Sequence, residues 1–150
     1  MINYRLLRRP GMLLLIWLLL TACADTGTNG NGSVEPDLVG TRWSLTAYGD
    51  PANPQPVITD YQPTLSFQED TVGGSTGCNE VGGNYTHAGD TISFNDLFQT
   101  ERACMADGVM QQEAAYMELL RNADTISRGE DRLTLTAPDG ILQFTAISPA

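Results

Sequence analysis

The stretch TVGGSTGCNEVGGNY, residues Thr71–Tyr85, decides how the rest of this 150-residue chain is interpreted. It places five glycines around Cys78 and the adjacent Asn79. Four kinds of structure use glycines beside a cysteine: a phosphate-binding loop, a nucleophile on a turn, a metal site, or a tight β-structure whose cysteine is oxidised. The choice depends first on the compartment of the chain, and the N-terminal residues indicate that compartment.

Residues 1–22 have the pattern of a bacterial lipoprotein signal peptide. Three arginines, Arg5, Arg8 and Arg9, precede the uncharged run MLLLIWLLL. That run is shorter than the roughly 20 residues that span a bilayer, but it fits the apolar region of a signal peptide. It ends in LTAC, which resembles a lipobox, and the resemblance implies that the chain is cut before Cys23 and that the Cys23 thiol is acylated. The alternative is an ordinary cleaved signal with a chance cysteine.

The predicted anchor has consequences for location. Two or three acyl chains hold a protein stably on a membrane, whereas a single chain binds only marginally. Ala24 follows Cys23, and an aspartate that would resemble an inner-membrane retention signal comes one residue later, as Asp25. We therefore expect the cell envelope, and in a Gram-negative cell the periplasmic face of the outer membrane. Residues 23–37 are predicted to be the lipidated cysteine and a disordered linker, because they are rich in Gly, Asn, Thr and Ser.

The charge of the chain argues against some partners. All 18 acids follow Cys23, and five of the eight basic residues remain after the predicted cleavage, so five positive charges against 18 negative ones give −13. Nucleic acid needs clustered basic side chains, which this composition does not offer. The same argument opposes flat docking on anionic lipid. Solubility is the plain consequence of so acidic a surface.

Residues 38–150 are predicted to form one domain of short strands with a single helix. The run TRWSLTAYG alternates, with Trp43, Leu45 and Ala47 on one side, and similar runs separated by turns follow. The run DGVMQQEAAYMELLRNA changes to helical spacing, with Asp107 as the predicted N-cap. We therefore expect a mainly β, α+β fold: a small, strongly twisted antiparallel sheet, closed or half-open as a barrel, with one packed helix. The predicted inner stripe of that helix is Val109, Met110, Glu113, Tyr116, Met117 and Leu120.

The four interpretations of the glycine-rich stretch differ in the partner groups they need. A P-loop needs a lysine, and the chain has none. A cysteine nucleophile needs an adjacent histidine, and the single histidine, His87, is expected at an exposed hairpin tip. A zinc site takes about four ligands, more than Cys78, Cys104 and His87 supply. The favoured prediction is a disulfide between Cys78 and Cys104, the pair that remains in an oxidising compartment once Cys23 carries lipid.

A disulfide gives the glycines and the asparagine structural roles. The Gly73-Gly74 pair and Gly77 let a strand bend or be approached closely by a neighbouring backbone. The Gly82-Gly83 pair is expected to allow positive φ in a following turn. Asn79 is expected to bond local backbone, as short amides do at turns.

Five motifs follow one another along the chain: LVGTRWSL with Trp43, GGSTGCNEVGGNY with Gly77, Asn79 and Gly83, TERAC, MQQEAAYMELL, and DRLTLTAPDGILQF. Together they resemble the META domain, also called the HslJ-like family. The resemblance covers about residues 38–145 and implies a small, twisted β-structure packed against the helix, with the two cysteines close together. It implies no catalytic residue.

Three hypotheses about function remain. The first is a non-enzymatic envelope lipoprotein that supports stress tolerance through a protein partner, because HslJ-named relatives are linked to heat stress. The second is a module that carries a lipid-like or small hydrophobic ligand in a cleft lined by Met105, Met110, Tyr116 and Met117, although their spacing also suits a helix core. The third is a hydrolase, which the absence of a GxSxG motif disfavours. We expect a non-enzyme without a cofactor, held on the membrane by acyl chains.

Overall fold

A computed structural model describes residues 38–147. The predicted signal peptide, Cys23 and the linker up to residue 37 lie outside the described residues, as do residues 148–150 of the predicted domain. Within the described part, short strands dominate and an α-helix interrupts them. The elements are β1 Arg42–Gly49, β2 Gln55–Pro56, a 3-10 turn Thr59–Tyr61, β3 Thr64–Phe67, β4 Thr71–Ser75, β5 Glu80–Ala88, β6 Thr91–Gln99, α1 Val109–Asn122, β7 Thr125–Arg128, β8 Arg132–Ala137 and β9 Gly140–Ile147.

The strands form one antiparallel sheet whose hydrogen bonding runs in a ring. From β3 to β9 each strand pairs with the next along the chain, and β1 pairs with both β3 and β9. The short β2 also pairs with β1. The weakest link joins β6 to β7, whose register is the single pair Thr91 and Thr125. The prediction of a mainly β fold, with an antiparallel sheet closed or half-open and one packed helix, is therefore confirmed.

The first strand shows how alternation builds the interior. Trp43 and Leu45 are completely buried, as the pattern predicts. The register with β9 shifts between Leu45 and Ala47, and beyond that shift Tyr48 packs against the core. The predicted alternation therefore ends at a bulge, which changes the side chain that faces inward.

The helix α1 packs against β6, β8, β9 and β1 and completes the interior. It begins after Gly108, whose φ of 79° is left-handed, and it has no side-chain cap, so the predicted N-cap at Asp107 is wrong. Its predicted inner stripe is correct except at Met110, which is 37% exposed, while Leu119 is buried. No helix within residues 38–147 has both the length and the hydrophobicity to cross a bilayer.

Large side chains fill the space inside the ring. Phe67 and Tyr85 meet edge to face, with 5.0 Å between ring centroids, and Phe94 lies beside both. The Tyr85 hydroxyl donates to the Gln68 carbonyl at 2.7 Å. The interior is therefore a packed core. Its other fully buried large side chains are Trp43, Leu45, Leu65, Ile92, Tyr116, Met117, Leu120, Leu133, Leu135, Leu142 and Phe144.

Candidate functional site

The glycine-rich stretch contains β4, the loop between β4 and β5, and the first part of β5, and a disulfide ties this loop to the segment before α1. Cys78 and Cys104 are joined, with their Cα atoms 6.0 Å apart. Cys78 is buried and Cys104 is half-buried. The predicted disulfide is thus present in the structure, and it holds together two irregular segments that are 26 residues apart.

The side chain of Asn79 joins this loop to two other segments. Its Nδ2 donates to the Glu113 carboxylate oxygens at 3.0 and 2.9 Å and to the Arg102 carbonyl at 3.0 Å. Its Oδ1 accepts from the Arg102 N–H at 2.7 Å and from the Thr100 hydroxyl at 2.8 Å. The prediction that Asn79 bonds local backbone is wrong, because its side chain is the buried centre of a long-range network. Thr76 has the local role, since its hydroxyl accepts from the Asn79 N–H at 2.9 Å.

Glu113 brings a carboxylate into the interior from α1. The residue is 2% exposed. Besides the Asn79 amide, it accepts hydrogen bonds from the Thr76 hydroxyl and from the Gln99 amide, the latter at 3.4 Å. A buried carboxylate is tolerated only when donors surround it in this way. We refer to Thr76, Asn79, Gln99 and Glu113 as the Asn79 cluster. Its members bond to one another, so the cluster connects the loop, β6 and α1.

Gly77 lets the same loop approach the 3-10 turn that ends at Tyr61. Its φ of 96° is left-handed, and a Cβ at this position would lie 2.3 Å from the Tyr61 carbonyl oxygen. Gln112 on α1 holds the same turn: it donates to the Tyr61 carbonyl at 2.7 Å and accepts from the Ile58 N–H at 2.8 Å. Gly77 is therefore required by both conformation and space.

Arg102 lies in the segment that the disulfide ties to Cys78, two residues before Cys104. The residue is exposed. Its guanidinium donates to the Cys78 carbonyl at 2.9 Å. The arginine therefore adds a second link across the disulfide, alongside the bonds that its backbone makes with Asn79.

The two remaining predicted motif residues lie outside the Asn79 cluster. Trp43 belongs to the core. Gly83 lies within β5, and neither it nor Gly82 has a positive φ, so the predicted turn is wrong. A Cβ at Gly83 would lie 2.7 Å from the Leu97 side chain, and a Cβ at Gly82 would lie 2.6 Å from the Phe98 ring. Close approach of β6, and not backbone freedom, explains these glycines.

A bulge in β6 lies opposite these glycines, and sequence reasoning did not predict it. Two residues of β6, Asp96 and Leu97, oppose the single residue Gly83. Asp96 has a φ of 53°, in the left-handed region that aspartate tolerates better than most residues. The paired residues that flank the bulge are Gly82 with Phe98 and Asn84 with Asn95.

The bulge reverses the alternation of side chains along the end of β6. Ile92 and Phe94 face the core, and regular alternation would bury Phe98 as well. Phe98 is instead 63% exposed. Gln99 turns inward and reaches Glu113. One extra residue therefore both completes the Asn79 cluster and places an aromatic ring on the outer surface.

The cleft predicted from methionines does not form. Tyr116 and Met117 are core residues, whereas Met105 is 92% exposed. Open cavities lie elsewhere on the surface. One of about 440 Å³ adjoins Phe98 and is lined by Thr71, Val72, Gly82, Gly83, Asn84, Asp96 and Phe98. Another of about 520 Å³ is lined by Leu38, Val39, Glu69, Asp70, Tyr85, Thr86, His87 and Arg128.

The catalytic and metal alternatives depend on Cys78, on His87 and on clusters of possible metal ligands. Cys78 is bonded to Cys104 and is not a free thiol. His87 is exposed near the end of β5. Between residues 38 and 147, no group of three or more His, Cys, Asp or Glu side chains is placed to hold a metal ion.

The chain is similar to a known domain family and to solved structures. The profile of the META domain matches residues 36–148. A protein from Burkholderia xenovorans solved by NMR is 26% identical, with 75% of this chain and 85% of that one covered and a TM-score of 0.64. A DUF4847 family protein from Bacteroides vulgatus shares the fold, at 16% identity and a TM-score of 0.58, with 72% and 93% covered. No curated protein matches the chain significantly.

Proposed function

This chain belongs to the META domain family, and from that premise we propose that it is a membrane-anchored envelope lipoprotein whose domain is a non-enzymatic binding module acting through a protein partner. The observation that carries the proposal is the division of polar and apolar groups between interior and surface. In the Asn79 cluster, Thr76, Asn79 and Glu113 are buried and bonded to each other, and the half-buried Gln99 bonds to Glu113. An aromatic ring, Phe98, is meanwhile held outside by a bulge.

The proposal of a non-enzyme is supported by the state of the groups that could react. Glu113 is enclosed by its donors, and Cys78 is oxidised. A general base must come within about 3 Å of the proton it removes, in a site that a substrate can enter. The acidic composition also disfavours nucleic acid as the partner. A protein partner is therefore favoured, and a role in stress tolerance fits the family.

A second candidate function is carriage of a lipid-like or small hydrophobic ligand. The open cavity of about 520 Å³ supports it, because Leu38, Val39 and Tyr85 give part of its lining an apolar character. Its volume lies in the range of small-molecule sites. This function ranks second because the interior of the ring is filled with side chains.

The anchor is tested by membrane fractionation. We expect Cys23→Ser to move the protein into the soluble fraction, because its acyl chains would be lost. Ala24→Ser keeps the cysteine and serves as the matched control, which should stay with the membranes. Flotation of the Cys23→Ser protein with membranes would remove the anchor from the proposal.

The partner is tested by native mass spectrometry on protein gently extracted from its own membrane, followed by crosslinking in the intact envelope. A bare acylated monomer that crosslinks to a specific protein supports the first function. A reproducible passenger of lipid-like mass supports the second. An unmodified chain with neither crosslink nor passenger contradicts both.

A further inference from the structure

The outer face of β5 and β6 around Phe98 has the features of a docking surface. The ring tip lies over Gly82, where a Cβ would come within 2.6 Å of it. The strand backbone therefore supports the ring, while 63% of the residue stays exposed. Large aromatic side chains that are fixed and exposed in this way serve as anchors in many interfaces. A purely structural role for the ring is to cover Gly82, and the test below separates the two roles.

One small residue lies beside the ring on the same face of the sheet. Gly73 on β4 lies directly opposite Gly82 on β5, and Gly82 lies opposite Phe98 on β6. Gly82 is buried beneath the ring, whereas Gly73 is half-buried. The open cavity beside the ring measures about 440 Å³. Because Gly73 has no side chain, an extended segment can approach the sheet closely beside the ring.

The charge around this surface has one sign. Asp96 lines the cavity, and its carboxylate accepts from the Asn84 amide at 3.4 Å. Exposed Glu80 lies two residues before Gly82, on the same face of β5. The residues that line the cavity include no basic side chain. A cation is the complement of these carboxylates, and it is also the group that the face of an aromatic ring attracts.

We propose that this Phe98 surface, formed by Gly73, Glu80, Asp96 and Phe98, binds an extended basic segment of the protein partner. An arginine or lysine side chain of that segment lies over the Phe98 ring and pairs with Asp96 or Glu80. The inference rests on the proposed function, because it assigns a surface and a chemistry to the same partner. The inference also accounts for the bulge, because Asp96 supplies the negative charge and its left-handed conformation turns the Phe98 ring to the outer surface.

The first test uses the full chain, purified in detergent from its own membrane, and a fluorescent ten-residue peptide of alternating arginine and serine. We expect the peptide to bind, and Phe98→Ser and Asp96→Asn each to weaken binding about tenfold. Asparagine tolerates the left-handed conformation, so Asp96→Asn removes the charge and keeps the bulge. Ile147→Ser, which changes another exposed apolar side chain on β9, is the control and should bind like the wild type.

Charge dependence supplies the contradicting outcomes. A matched peptide of glutamate and serine should not bind, and added salt should weaken the arginine peptide. No binding of the arginine peptide, equal binding of both peptides, or equal binding by wild type and both Phe98-surface variants would overturn the inference. Thermal melting of Phe98→Ser shows whether loss of the ring also unfolds the domain. If it does, peptide binding by Asp96→Asn alone tests the inference.

A second test separates this inference from the proposed function. A photoreactive amino acid replaces Phe98 in the intact envelope, and in a parallel strain it replaces Ile147. A partner captured at position 98 and not at 147 supports both proposals. A partner that is captured only from position 147 contradicts binding at the Phe98 surface but still supports the proposed protein-binding function. Peptide binding that depends on Phe98, without any captured protein, supports the surface and overturns the function.

Discussion

The side-chain amide of Asn79 donates to both carboxylate oxygens of Glu113, at 3.0 and 2.9 Å, although the two residues are 34 positions apart. Both residues are almost completely buried. This pair connects the disulfide loop to the inner face of α1. An amide is suited to the role because its other end accepts from Thr100 and from the Arg102 backbone. A single side chain therefore links a loop, a helix and the segment between β6 and that helix.

Replacing Asn79 should be among the most damaging substitutions in the domain. Asn79→Ala removes the amide that donates to both oxygens of the buried Glu113 carboxylate, together with the bonds to the Arg102 backbone, so we expect the free energy of unfolding to fall by about 3 kcal/mol. Urea unfolding of both proteins measures the difference. The control is Asn84→Ala, which removes an exposed asparagine on β5 and should change stability by less than about 0.5 kcal/mol. Equal effects of the two substitutions would show that the buried network does not contribute to the free energy of unfolding.

The disulfide should stabilise the same region independently. Its two cysteines are 26 residues apart, and a loop of that length contributes about 3 kcal/mol by restricting the unfolded chain. We expect a reductant to lower the melting temperature of the wild type by roughly 10 °C. The double variant Cys78→Ser/Cys104→Ser is the control, because reductant should leave its melting temperature unchanged. A wild-type melting curve insensitive to a reductant that breaks the bond would contradict this expectation.

The sequence predicted those features that depend on local pattern or on counting. Alternation placed Trp43 and Leu45 in the core, and periodicity placed Tyr116 and Met117 on the inner face of α1. Cysteine counting gave the pair Cys78 and Cys104. These signals lie in residue types at short spacing, so a single sequence contains them.

The features that the sequence did not predict depend on what the fold brings close. Asn79 has the composition of a turn residue, and nothing in its neighbourhood indicates a partner on α1. Glu113 occurs in a helical stripe, but its donors come from two other segments, the loop between β4 and β5 and the end of β6. The bulge at Asp96 carries no glycine signal, and without it the pattern at Phe98 reads as a buried position. The sequence favours a turn at Gly82 and Gly83 because it does not show the side chains that approach from the next strand.

Two glycines give a sharp test of close approach between strands. A Cβ at Gly74 would lie 2.0 Å from the Thr64 carbonyl oxygen, whereas a Cβ at Gly129 would meet nothing within 4 Å. Backbone cannot move aside as a side chain can, so Gly74→Ala should separate β3 from β4 and cost about 3 kcal/mol or more. Gly129→Ala is the matched control and should change stability by less than about 1 kcal/mol. Chemical denaturation of the two alanine variants decides the point, and similar midpoints would contradict the packing described for β3 and β4.

We expect Tyr116 to make the stability of the domain pH-dependent in the alkaline range. Burial raises the pKa of its phenol above the usual range, because the ionised form would lose its hydration. Within the described residues, its hydroxyl has no hydrogen-bond partner. In the unfolded chain the phenol ionises near its usual pKa of about 10, while the folded chain keeps its proton. The unfolded state therefore binds fewer protons above about pH 10, and the free energy of unfolding falls as the pH rises.

Tyr116→Phe should remove this part of the pH dependence. At pH 8 we expect the variant to be within about 1 kcal/mol of the wild type, or more stable, because the lost hydroxyl makes no hydrogen bond among the described residues. At about pH 10.5 to 11 the variant should gain further on the wild type, since only the wild type can ionise this phenol on unfolding. Urea unfolding at both pH values measures the change, and the remaining tyrosines are common to both proteins. A stability difference that stays constant between the two pH values would mean that Tyr116 titrates alike in the folded and unfolded chains. The phenol would then be accessible to water in the folded protein, which would contradict its burial in the core.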